Sequence, residues 1–220
     1  MPVRRLVELS LQLPQDWFPL PLDPSTDVVE WASETAYAAW RLRADAGVPE
    51  EAVGPDAGRR LVVELAGLAH NVREQLGAAS PGMSHVSVWL PVPELGVVSA
   101  VVIAQIAERS ADRSPERFAA ALEELTEAPA PGAGHLHSQR LESEVGGTPV
   151  RGLHSMIGLM DHEAGVAALE ERTCFGVFPD DCADMAEVLF IAERPAAFEN
   201  MAQQTLDMLE GLELAAADAA

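Results

Sequence analysis

The chain has 220 residues, 48% of them hydrophobic and four of them Trp, a composition that excludes a disordered chain and suffices for a sizeable core. Its 35 acidic residues stand against 14 basic ones, all Arg, and the formal charge of −21 repels phosphate backbones and anionic lipid, so neither nucleic acid nor a membrane surface is an expected partner. The longest apolar runs, such as Val97 to Ile103, are too short to span a bilayer.

After Arg4-Arg5 the start alternates polar and apolar residues where a secretory peptide would need a continuous apolar run, so a cytoplasmic protein is expected. In that reducing compartment Cys174 and Cys182 read as free thiols. No Pro/Gly/Ser linker is long enough to separate two cores. One domain is therefore expected over 1–214, with a disordered tail at 215–220.

Val3, Arg5, Val7, Leu9, Leu11 and Leu13 share one face of a first strand, which Pro14-Gln15-Asp16-Trp17 breaks. Asp27, followed three places on by Glu30, predicts a capped helix from about Val28 to Ala46, ended by Gly47. A second helix from about Ala57 to Leu76 carries a stripe of Leu61, Leu65, Leu68, Val72 and Leu76. Strands are expected at His85 to Val92 and Val97 to Ala107, joined by the loop Pro93-Glu94-Leu95-Gly96, the second of them a candidate for a central place. Ser114-Pro115-Glu116 opens a short helix with Phe118, Leu122 and Leu125 inward.

Residues 135–145 alternate weakly and are polar on both faces, the pattern of an edge strand guarded by charge. Three strand-like runs follow, Val150 to Met160, Ala168 to Phe178 and Met185 to Ala192, the last apolar enough to be central. Pro195 then predicts the start of a closing helix whose stripe is Phe198, Met201, Thr205, Met208, Leu209 and Leu212. Most strand pairs are joined by short loops, so the fold class is α+β: a mainly antiparallel sheet of six or seven strands packed against helices, with a helical pair inserted after the first strand.

The first strand running into Leu13-Pro14-Gln15-Asp16-Trp17, the late strands, the apolar strand at 185–192 and the closing helix from Pro195 to Leu209 resemble the PsbP-like superfamily, including its small actinobacterial proteins and bacterial effector-chaperone relatives. The resemblance covers half of the chain, and the helical pair between Asp27 and Leu76 departs from it by its size. It carries no active site to transfer. It implies a binding or adaptor protein, with a secretion or effector system as its setting.

His135 and His137, two apart on a strand, would project from one face as metal ligands do, with His154 on a neighbouring strand and Glu142, Glu144 or His162 to complete the set. A metal-dependent enzyme is thus the alternative function. His-x-His pairs are also common on solvated edges. Cys174 between Thr and Phe reads as a buried hydrophobe, and Cys182 sits among Asp180, Asp181 and Asp184, which disfavour a thiolate. No nucleophile–base pair, phosphate loop or nucleophile elbow is present, so no catalytic residue and no cofactor are expected. Trp31, Tyr37 and Trp40 share a helix whose buried stripe is already supplied by Val28, Ala32, Ala36 and Ala39. They are the candidate binding residues, either for a protein partner or for a homodimer formed through the helical pair.

Overall fold

In this computed structural model the described residues are 4–48, 55–76, 82–127, 133–161, 166–194 and 197–218. Among them are nine strands and four α-helices. The strands are β1 (Arg4–Leu11), β2 (Trp17–Pro19), β3 (Ser84–Trp89), β4 (Ala100–Glu108), β5 (Ala133–Val145), β6 (Thr148–Asp161), β7 (Val166–Val177), β8 (Asp184–Ala192) and β9 (Leu212–Asp218). The helices are α1 (Val28–Asp45), α2 (Pro55–Leu76), α3 (Phe118–Glu127) and α4 (Met201–Met208). Seven strands form an antiparallel sheet in the order β2-β3-β4-β8-β7-β6-β5, and β1 and β9 form a separate antiparallel pair. The α+β class, the central places of β4 and β8, and the edge place of β5 agree with the sequence. Among the described residues no helix is long and apolar enough to cross a membrane.

The described residues group into two compact units. One comprises Pro14–Ser80 and Val86–Val101, the other Met1–Leu13, Pro81–His85 and Val102–Ala220. The first unit has its own core, with Ala32, Ala36 and Ala39 of α1, Leu61 and Leu65 of α2, and Val88 and Leu90, all buried. The Asp27 carboxylate accepts from the N–H groups of Val29 and Glu30 at 2.8 and 3.2 Å, as the capping pattern predicts. Gly47 follows the end of α1 with φ +88°, a conformation that favours glycine. Two charged side chains hold loops to these helices: Arg43 pairs with Glu94 at 2.9 Å, and Glu64 accepts the Val98 N–H at 2.8 Å.

In the second unit β5, β6 and β7 form two long antiparallel ladders. Pairing aligns Leu153 with Cys174 and Cys174 with Leu189, so these residues share a face, and α3 covers it through a cluster of Phe118, Leu122, Cys174, Phe178, Met185 and Leu189. Phe118 meets Phe178 edge to face at 5.7 Å. Both cysteines are free and buried.

Three expectations fail here, each for a local reason. The first strand does not keep one face: its register with β9 slips between Leu6 and Glu8, which leaves Val7 as a bulge, 50% exposed, and turns Leu6 inward beside Leu9 and Leu11. The closing helix starts at Met201 and not at Pro195, because the Asn200 side chain accepts the Gln203 N–H and caps it there; Pro195 itself lies outside the described residues. The tail expected at 215–220 is strand up to Asp218, since Ala215, Ala216, Ala217 and Asp218 pair with Glu8, Leu6, Arg5 and Arg4; residues 219–220 lie outside the described ones.

Asp184, at the start of β8, is buried and ties β1 to this unit: one carboxylate oxygen accepts the Leu6 N–H at 2.9 Å and the other lies 3.2 Å from the Arg5 guanidinium. Replacing Asp184 by Ala leaves a buried N–H without its acceptor. Urea unfolding of the variant is expected to show a loss of about 2–4 kcal/mol, at the scale of a broken charge-assisted hydrogen-bond site. A loss below about 0.5 kcal/mol would mean that β1 is held without this contact.

Candidate functional site

The register of β5 on β6 decides the fate of the histidine set. Two residues of β5 pair one after the other when His135 faces Ile157 and His137 faces Met156, so Leu136 is bulged and the two histidines point to opposite faces of the sheet. His137 shares its face with His154, and their rings lie 6.5 Å apart, edge to face. His135 is on the Leu153 face with Glu142 and Glu144. Even there, Glu142 is seven residues along the strand, about 23 Å at 3.3 Å per residue. The expected set of His135, His137 and His154 therefore does not assemble. Among the described residues no three His, Cys, Asp or Glu side chains come together as metal ligands; His162 lies outside them.

The structure instead gives His154 two partners on β7. Its Nε2 is 3.3 Å from Glu171 Oε1, and its Nδ1 is 3.1 Å from Thr173 Oγ1. Burial lowers the His154 pKa, with the nearby His137 charge acting the same way and the Arg172 backbone opposing it. Burial also raises the pKa of Glu171. Both partners are thus driven toward their neutral forms, so the contact is better described as a hydrogen-bonded pair than as a salt bridge. Carboxylate, imidazole and hydroxyl in series are the order of a hydrolase triad, but Thr173 is 0% exposed and its oxygen cannot reach a substrate. The cluster is a satisfied polar patch inside the sheet. Alternation in the Ala168 to Phe178 run already puts Glu171 and Thr173 on one face, but only the register places that face over His154.

Cys174 is equally closed. Burial, with the Glu187 carboxylate beside it as the second cause, pushes its thiol far above the range in which a thiolate forms. The guanidinium of Arg113, 3.7 Å from Glu187, offsets this only in part.

The aromatic residues of α1 are divided. Trp31 is half-buried and donates its indole N–H to the Pro19 carbonyl at 3.1 Å. Trp40 lies against α2 so closely that a Cβ at Gly58 would overlap its ring, which explains the glycine inside a helix. Tyr37 alone is open, at 62% exposure. Trp40 therefore serves the α1–α2 packing, while Trp31 is tied to β2, and both side chains remain half-buried.

β5 remains as an open element. It ends the sheet, and among the described residues no strand pairs with its outer edge. Arg140 on this strand donates to Glu123 of α3 through Nε at 3.0 Å and through one further N–H, and that bond, more than the charge itself, holds the Glu123 carboxyl below its usual range. Leu136 at the bulge is 62% exposed.

No family model and no curated protein matches the sequence. Among solved structures the chain is similar to a Pseudomonas aeruginosa protein of unknown function, PA94, with 11% identity, 50% of this chain and 69% of that chain covered, and a TM-score of 0.34. No function is carried over from a likeness at that level.

Two outcomes check these assignments. Because the folded-state pKa of His154 lies below its unfolded value, the unfolded chain binds the proton more readily and stability falls as pH drops below 6.5. Glu171 acts with the opposite sign, since its raised pKa makes it costlier as pH rises above 4.5. His85, also lowered by burial, adds to the histidine trend. Unfolding free energies at about pH 7 and about pH 5.5 are expected to differ less in His154→Gln than in the wild type, and an unchanged difference would remove His154 from this role. Trp40→Ser is expected to lower stability by about 2–4 kcal/mol in urea unfolding, as the loss of a packed aromatic does. An unchanged transition would mean that the contact with Gly58 does not hold α1 to α2.

Proposed function

We propose that the protein is a non-enzymatic binding or adaptor protein of the cytoplasm, and that it binds through the outer edge of β5. The observation that carries the reading is this 13-residue edge, a row of main-chain donors and acceptors that no strand covers among the described residues. Sheet edges of this kind take up an extended segment, with affinity from the main chain and selectivity from alternate side chains. The closed state of Cys174 and Thr173 and the dispersal of the histidines support a role without catalysis. A charge of −21 favours partners that are basic or apolar over nucleic acid. The PsbP-like resemblance supports a place in a secretion or effector system.

Proline tests the edge. N–H groups alternate between the inner and outer side of an antiparallel edge strand, so of Ser138→Pro and Gln139→Pro one removes an outward donor and spares the pairing with β6. Circular dichroism identifies the variant that keeps its fold. Tagged wild-type protein is expected to retain a partner from lysate of the native cell that this variant loses by at least about tenfold. Capture indifferent to the proline, or none, overturns the reading.

A further inference from the structure

We infer that the occupant of the β5 edge is β5 of a second copy of this chain, paired antiparallel about a two-fold axis at Leu141. This deepens the reading of β5 as a binding edge and rests on it.

The regular part of the strand sets the centre. Pairing with β6 is irregular between His135 and His137, and Val145 ends the strand before Gly146 and Gly147, which turn the chain with φ +56° and +81°. What remains, His137 to Val145, is centred on Leu141. A two-fold axis normal to the sheet keeps each side chain on its own face, so directly opposed residues must have the same parity, and an axis at Leu141 meets that condition.

The charges fit the same centre. Arg140 then stands opposite Glu142 of the second copy, and Glu142 opposite its Arg140. Ser138 meets Glu144, Gln139 meets Ser143, His137 meets Val145, and the two Leu141 side chains meet each other. No like charges are opposed. Moving the centre by one residue puts Arg140 against Arg140 or Glu142 against Glu142, which is destabilising. A polar pattern that guards an edge against random pairing thus also favours this register over the adjacent ones. The Arg140 side chain is 55% exposed, and its contact with Glu123 leaves further N–H donors for Glu142 of the second copy.

The test is sedimentation equilibrium of the full chain from micromolar to near-millimolar concentration at about 0.15 M salt, where repulsion between the acidic copies is screened beyond about 8 Å. The wild type is expected to reach the dimer mass. Glu142→Arg, which leaves the Arg140–Glu123 contact in place, and Arg140→Glu each turn two attractive pairs into repulsive ones, and each is expected to weaken the dimer at least about tenfold. The double variant Arg140→Glu with Glu142→Arg restores opposite charges and is expected to restore the dimer. A wild type that stays monomeric overturns the inference, as does a dimer that ignores both single changes. A monomer that still captures a proline-sensitive partner overturns only the dimer and leaves the binding function of the edge standing.

Discussion

A carboxylate buried at the start of a strand must find partners, because an unpaired charge in a poorly polarisable interior costs several kcal/mol (about 3–5). Asp184 finds them in the Leu6 N–H and the Arg5 guanidinium, and β1 is thereby held at the foot of β8. The adjoining turn is secured from other directions: Arg109 donates to the carbonyls of Pro179 and Asp184 and lies 5.5 Å over the Phe178 ring, while the Arg4 N–H donates to the Asp181 carbonyl at 3.3 Å. Asp181 itself has φ +52°, a left-handed conformation that an aspartate tolerates in a turn better than most residues. Once β1 is fixed it offers a ladder to β9. Just before β9, Gly211 lies so close to the Gln12 backbone that a Cβ would collide with it.

Two bulges then decide which side chains meet. At Val7 the slip turns Leu6 into the core and an apolar side chain out to water. At Leu136 the slip sends His135 and His137 to opposite faces and dissolves the metal site that their spacing suggests. In both places one extra residue inverts the two-residue period on one side of it, so a motif that depends on parity is broken by a single backbone step.

The polar groups of the sheet divide into those that satisfy the interior and those that face outward. His154, Glu171 and Thr173 belong to the first kind, joined by hydrogen bonds and shielded from water. The alternating residues of β5 belong to the second. At a charge of −21 most of the surface repels another acidic protein, whereas β5 sets Arg140 and the neutral polar side chains of Ser138, Gln139 and Ser143 among its acidic ones.

Local signals were legible where one segment carries them whole. The Asp27 cap, the α2 stripe, the apolar run of β8, the polar edge at β5 and the short antiparallel connections each lie within a few residues, and the α+β class follows from their order. Other features needed the tertiary structure because their cause lies elsewhere in the chain. β9 is a strand because β1 stands beside it, and its Leu-Glu-Leu-Ala-Ala-Ala run would suit a helix equally well. Trp31 and Trp40 find their contacts at the Pro19 carbonyl and at Gly58, both outside α1. His154 was visible as a candidate, but its partners and its isolation from His135 are set by register. Register depends on bulges, and a bulge is stabilised by the strand that it faces, so nothing within the bulged segment announces it.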